Sequence, residues 1–159
     1  MEVGDYTQAR LKKAFVNLLS LFFRFLASGL LVVLTHAASA QTPAPVFVLN
    51  SLEGNVSVID PVTWTEKKRI PTGKEPHHLY MTPDEKSVIV ANALSDSLTF
   101  IHPRTAEVQR TLTGILDPYQ LRFSPDMKWF VTAANRLNHV DIYRWDGQTH
   151  TLAKRIATG

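Results

Sequence analysis

The sequence predicts an all-β protein, a β-propeller that is incomplete, and three observations carry that reading. Val88-Ile-Val-Ala-Asn92, Ser97-Leu-Thr-Phe-Ile-His102 and Pro103 restate Val46-Phe-Val-Leu-Asn50, Asn55-Val-Ser-Val-Ile-Asp60 and Pro61 at an offset of 42 residues. Pro118 and Ser124-Pro125-Asp126 answer Pro76 and Thr82-Pro83-Asp84 at the same offset. A third copy, Phe130 to Asn135 and His139 to Arg144, follows slipped by one residue, and no helical apolar spacing interrupts residues 41–159. A period of this length built from short strands marks propeller blades.

In chain order, residues 1–40 read as a signal peptide and 41–159 as the N-terminal part of the propeller domain. Arg10, Lys12 and Lys13 supply positive charge, Phe25 to Leu34 is nearly all apolar, and Ala38-Ser39-Ala40 offers the small residues a signal peptidase requires. Arg24 interrupts the apolar run, which is short for a spanning helix. The expectation is export to the periplasm or outside the cell, with no stable membrane span after cleavage; an uncleaved anchor is the alternative.

The chain has 17 Lys or Arg against 14 Asp or Glu, and most of the excess lies in the leader. Beyond it the cations are scattered over strand and turn positions, which argues against a nucleic-acid surface. There is no cysteine. The fold therefore holds by packing without disulfides, and a thiolate metal site is excluded. No pair of histidines has HxxxH or HExxH spacing.

Strands are expected at 46–50, 55–60 and 66–70, then 78–82, 86–92, 97–102 and 107–112, then 120–124, 128–134, 139–145 and 151–157. β-Branched and aromatic content, with Gly, Pro, Asn or Asp between the runs, supports each. Apolar Val88 to Ala91 suits a strand covered on both faces. Charged Thr65 to Arg69 and Ala106 to Arg110 suit outer edges. Pro83-Asp84 and Pro125-Asp126 initiate turns, and with Glu85 and Met127 where Gly usually follows, a turn without a positive φ there is expected. Gly73 and Gly114 free the chain to cross between blades.

This sets the phase. Residues 77–112 make one complete blade, about 119–157 a second, and 46–70 three of four strands, the innermost being absent. A closed ring needs roughly four to eight blades. The remaining blades are expected from sequence beyond residue 159 or, as the lesser case, from other chains. Alone, these residues should leave blade faces uncovered and be prone to associate.

The repeats resemble the YVTN-repeat family of seven-bladed β-propellers, of periplasmic and surface-layer type. The resemblance rests on Val88-Ile-Val-Ala-Asn92 in place of Tyr-Val-Thr-Asn, its spacing to Ser97–His102, Ile70-Pro-Thr-Gly73, Pro76 and the Thr82-Pro-Asp84 turn, and it spans 46–159. Val88 replaces the family's aromatic, and the Gly of Ser-Pro-Asp-Gly is missing from both complete turns. The resemblance implies about three four-stranded blades of seven. It also implies a superfamily shared with the haem domain of cytochrome cd1 and with seven-bladed lactonases. No active-site motif of either matches, so no catalytic residue is assigned.

In such a ring, loops from the fourth strand to the next blade share a face with loops between second and third strands, and function gathers there. That face brings together His77, His78, Asn92, Asp96 and Asn135 as ligand-face candidates. His77 and His78, adjacent on a strand, should face opposite ways, so one metal held by both is not expected. One of them binding a metal or haem iron competes with the plainer role of a turn-edge histidine. Asn92 and Asn135 suit strand ends where Asn bonds its own backbone. Asp96 and Asp117 suit solvated loop carboxylates. Trp64, Trp129 and Trp145 suit packing between blades or surface edges.

Two functions remain open. One is a binding or scaffold propeller that holds an unidentified protein or small molecule. The other is part of an enzyme or redox domain, lactonase-like or of haem d1 type, with its cofactor unknown. Fold analogy alone supports either chemistry.

Overall fold

The computed structural model describes residues 12–22 and 43–159, in a chain that divides into two units, Met1–Thr42 and Pro43–Gly159. In the first unit a helix spans 12–22, with every residue exposed. Among the described residues no helix is long and apolar enough to cross a membrane. Phe25 to Leu34 and Ala38-Ser39-Ala40, on which the signal-peptide reading rests, lie outside the described residues.

The second unit is three antiparallel sheets. Strands β1 (Val46–Asn50), β2 (Asn55–Ile59) and β3 (Glu66–Pro71) make a three-stranded sheet. Four strands follow in order, β4 (Pro76–Met81), β5 (Val88–Asn92), β6 (Ser97–Ile101) and β7 (Val108–Thr113). The last sheet holds β8 (Pro118–Phe123), β9 (Trp129–Ala134), β10 (His139–Trp145) and β11 (His150–Ala157). This is the expected phase, with three strands in the first sheet among the described residues. Pro76 and Pro118 open β4 and β8, the edge position where a missing N–H is tolerated.

Alternation explains why the central strands read as continuous apolar runs. Every residue of β5 and β6 is buried. One side of this sheet gives Val90 and Ile101 to a cluster with Val56, Val58 and Ile70 of the first sheet. The other gives Ile89, Ala91, Leu98 and Phe100 to a larger cluster with Leu121, Phe123, Phe130, Tyr143 and Trp145. That second interface is aromatic. Phe130 lies 4.7 Å from Tyr143 and 5.0 Å from Phe123, and Trp145 stacks on Phe100 at 6.1 Å. Outer strands β3, β7 and β11 are mostly exposed, as their charge suggests. Of the other tryptophans, Trp129 is exposed on β9, an inner strand of its sheet, and Trp64 is exposed in the β2–β3 connection.

The turns correct one expectation. Glu85 and Met127 do adopt positive φ, 57° and 55°. Thr82 Oγ1 donates to Asp84 Oδ1 at 2.7 Å, and the same carboxylate oxygen accepts from Lys86 N–H; Ser124, Asp126 and Lys128 repeat the pattern. These bonds fix the turn so firmly that a residue with a Cβ is carried into the left-handed region. Gly114 has φ 80°, whereas Gly73 is required by crowding, since a Cβ there would lie 2.6 Å from Asn92 Cβ.

Two outcomes follow. Phe130→Ala, at a side chain 1% exposed, should cost about 3–5 kcal/mol in denaturant unfolding. Glu85→Gly should stabilise by up to about 1 kcal/mol, because relief of left-handed strain outweighs the added freedom of the unfolded chain. An unchanged midpoint for Phe130→Ala, or a lowered one for Glu85→Gly, would contradict these assignments.

Candidate functional site

The loops β1–β2, β5–β6 and β9–β10 and the crossings 72–75 and 114–117 lie at one end of the sheets and are bonded to one another. Ala93 N–H donates to the Glu75 carbonyl at 3.0 Å, and Ser51 Oγ donates to the Pro76 carbonyl at 2.6 Å. Ile115 N–H reaches the Asp96 carbonyl, and Asp117 N–H reaches Asp96 Oδ1 at 2.8 Å. Glu75, Asp96, Asp117 and Asn138 hold left-handed backbone, with φ from 42° to 52°. Four such residues on one face show backbone shape imposed by tertiary bonds.

The centre of this network is an ion pair that sequence reasoning missed. Asp117 is 1% exposed, and its carboxylate accepts from Arg136 Nε, Nη2 and backbone N–H at 3.0, 2.9 and 2.5 Å. Arg136 Nη2 also donates to the Ala93 carbonyl at 2.6 Å, so one guanidinium joins loops of the second and third sheets. Asp117 is therefore no solvated loop carboxylate. No sequence motif flags the pair, because its members belong to a crossing and a hairpin loop 19 residues apart.

The five candidates take different places. Asp96 caps the short 3-10 turn Ala93–Ser95 in left-handed conformation and orients Asp117. Asn92 is fully buried in extended conformation, and its Nδ2 donates to Ser97 Oγ at 3.2 Å and Thr99 Oγ1 at 3.0 Å. It thus bonds side chains of the next strand in place of its own backbone. Asn135 is an exposed turn residue, and Ala134 holds the strand position matching Asn92, opposite His139. His77 and His78 lie on β4, half-buried, where the register shifts between Pro76 and His78. That shift breaks simple alternation, and both rings reach β8. His77 packs on Tyr119 with centroids 3.7 Å apart, and His78 Nε2 lies 2.7 Å from Arg122 Nη1. Burial first, then the Arg122 charge and His77, holds the His78 pKa below its usual 6.5.

A second polar cluster fills the interface of the second and third sheets. Asp141, fully buried, accepts from Arg155 Nε and Nη2 at 2.7 and 2.8 Å and from Tyr143 Oη at 3.1 Å; His139 Nε2 is 3.4 Å away. The Arg155 fork holds the Asp141 carboxyl below its usual 3.8, and burial raises Tyr143. Among the described residues no group of three or more His, Cys, Asp or Glu is placed to hold a metal ion.

Three blade-like sheets packed face to face, with their loops tied at one end, define part of a β-propeller. The chain belongs to the YNCE-like beta-propeller family, whose model matches residues 13–159. It is similar to Kuenenia stuttgartiensis hydrazine synthase, at 22% identity and TM-score 0.59, covering 74% of this chain and 34% of that one. A Lactobacillus plantarum protein matches at 20% identity and TM-score 0.59, over 71% of this chain and 39% of that one. The dihydro-haem d1 dehydrogenase NirN matches at 18% and 0.54, over 72% and 24%. These likenesses show the fold, and the chain spans well under half the length of each. No curated protein matches the chain.

Arg136→Ala should destabilise by about 2–3 kcal/mol, below the range for a fully buried pair because Arg136 is nearly half exposed. An unchanged melting curve would remove the clamp from the account. His78 and His150 both have lowered pKa values, chiefly through burial. A folded pKa below the unfolded one means that unfolding takes up protons. Their contribution is therefore complete above pH 6.5 and is lost as pH falls through the lowered folded values. Melting temperature should fall as pH is lowered below 6.5, and the fall should shrink in the His78→Gln, His150→Gln double variant.

Proposed function

We propose that this protein is an exported β-propeller module that binds a small molecule or a protein on its loop-rich face, at the mouth of the channel. The observation that carries the reading is the Asp117–Arg136–Ala93 clamp together with the Asp96–Asp117 bond, which hold loops of neighbouring sheets in one arrangement. A face held in advance loses little conformational freedom on binding. His77 and His78 stand half-buried at its inner edge, and Asp96 and Asn135 belong to its loops. Export to the periplasm or beyond is supported by the charged, apolar and small-residue order of residues 1–40.

The exposed apolar residues Val46 and Val48 on the first sheet, and Trp129, Val131 and Ile156 on the third, suit packing against further blades. Those blades come from more of the same protein or, as the lesser case, from other chains.

The binding reading ranks above an enzymatic or haem-ligating one because each histidine of the mouth is engaged by a neighbouring side chain, His77 by Tyr119 and His78 by Arg122. Neither pairs with a carboxylate among the described residues, so the general-base arrangement of a hydrolase is not supplied by them.

The test is native purification from fractionated cells, followed by mass spectrometry of the intact protein and of whatever accompanies it. A processed N terminus near residue 41 and a partner that a His77→Ala, Asn135→Ala variant releases are expected. An unprocessed cytoplasmic protein would overturn the export reading, and retention of the partner by the variant would overturn the loop-face reading.

A further inference from the structure

The inner strands β4 and β8 carry the sequences PHHLYM and PYQLRF, with two histidines, two tyrosines and one arginine but no acid. Their side chains form two adjacent contacts across the strand pair. One is the His77–Tyr119 ring pair, tilted by 32°. The other is Arg122, exposed, whose guanidinium lies 5.1 Å over the Tyr80 ring while its Nη1 donates to His78 Nε2 and to the Leu121 carbonyl, both at 2.7 Å. Accepting at Nε2 fixes the His78 tautomer with its proton on Nδ1, which leaves an N–H donor beside the cation.

The remaining edge of the guanidinium, Nε and Nη2, meets no acceptor among the described residues, and no carboxylate pairs with Arg122 there. Arg136 and Arg155 are different, since each spends that same edge on a buried aspartate. The Nε–Nη2 edge is the fork that matches the two oxygens of a carboxylate or phosphate. It is held in place from one side by Tyr80 and from the other by His78.

We propose that the β4–β8 wall is an anion site, in which the free edge of Arg122 takes the carboxylate or phosphate group of a small planar molecule whose ring packs against His77 and Tyr119. This deepens the binding reading above and rests on it. The two sources share an oxyanion, and they differ in whether the stacking pair contributes.

The experiment titrates the full chain with benzoate, benzamide and inorganic phosphate at constant ionic strength, following histidine and tyrosine ring resonances by NMR. Benzoate is expected to bind saturably, to shift His77, His78 and Tyr119, and to bind at least about tenfold more tightly than neutral benzamide, as a charge-assisted hydrogen bond requires. Phosphate shifting His78 as tightly as benzoate does, with Tyr119 unmoved, would assign the source to phosphate with no ring contribution. Arg122→Gln should abolish the preference for benzoate over benzamide, and Arg122→Lys should keep part of it, with melting curves confirming that both fold.

Equal binding of benzoate and benzamide, or a preference that survives Arg122→Gln in a folded protein, would overturn the anion site and leave the binding reading standing. Binding of neither benzoate nor phosphate would overturn it as well. Loss of the loop-face reading has its own signature, a partner retained by the His77→Ala, Asn135→Ala variant.

Discussion

The constraint on which this structure depends is that a sheet with two apolar faces must be covered twice. The strands β5 and β6 are buried throughout, so the second sheet is stable only with the first on one side and the third on the other. Most of the apolar burial lies between sheets, and the hairpins within each sheet supply register. The aromatic set Phe100, Phe123, Phe130, Tyr143 and Trp145 makes one of these interfaces much bulkier than the other, which is mainly Val, Ile and Leu with the one aromatic Phe47 packed against it. The repeat thus keeps backbone geometry while the side chains that fill it vary.

The same division holds for the polar end of each blade. On the side facing the preceding blade, the second sheet places Asn92, Ser97 and Thr99, a neutral hydrogen-bonded set. The third places the Asp141–Arg155 ion pair, with His139 Nε2 3.4 Å from Asp141. The first places Asn50, Ser57 and Glu66, with Arg69 on Glu66. Buried polar groups are costly unless paired, and each set bonds its members by different chemistry, with Asn92 Oδ1 and His139 Nε2 left without a hydrogen bond among the described residues. The loops above them inherit fixed positions from this layer, and the Asp117–Arg136 pair then joins one blade's crossing to the next blade's hairpin.

Much of the fold was legible in the sequence. A period of 42 residues, prolines at blade starts, and apolar runs too short for helices dictate three antiparallel sheets in this order, because strand alternation and turn chemistry act locally. The three-stranded first sheet could be read from phase alone. Even the wetness of β3, β7 and β11 was visible in their charge.

The tertiary structure alone decided what the site is made of. Arg136 looks like any loop arginine until the crossing brings a buried Asp117 beneath it, and Asn135 looks like the counterpart of Asn92 until the register places Ala134 there. Positive φ at Glu85 and Met127 follows from hydrogen bonds that override the preference for glycine. The partners of His77 and His78 lie 42 and 44 residues onward, on the neighbouring blade. Sequence periodicity fixes which strands exist and how they alternate, since those depend on residues close in the chain. Which side chains meet across blades depends on register and packing between sheets, and that is settled only when the sheets stack.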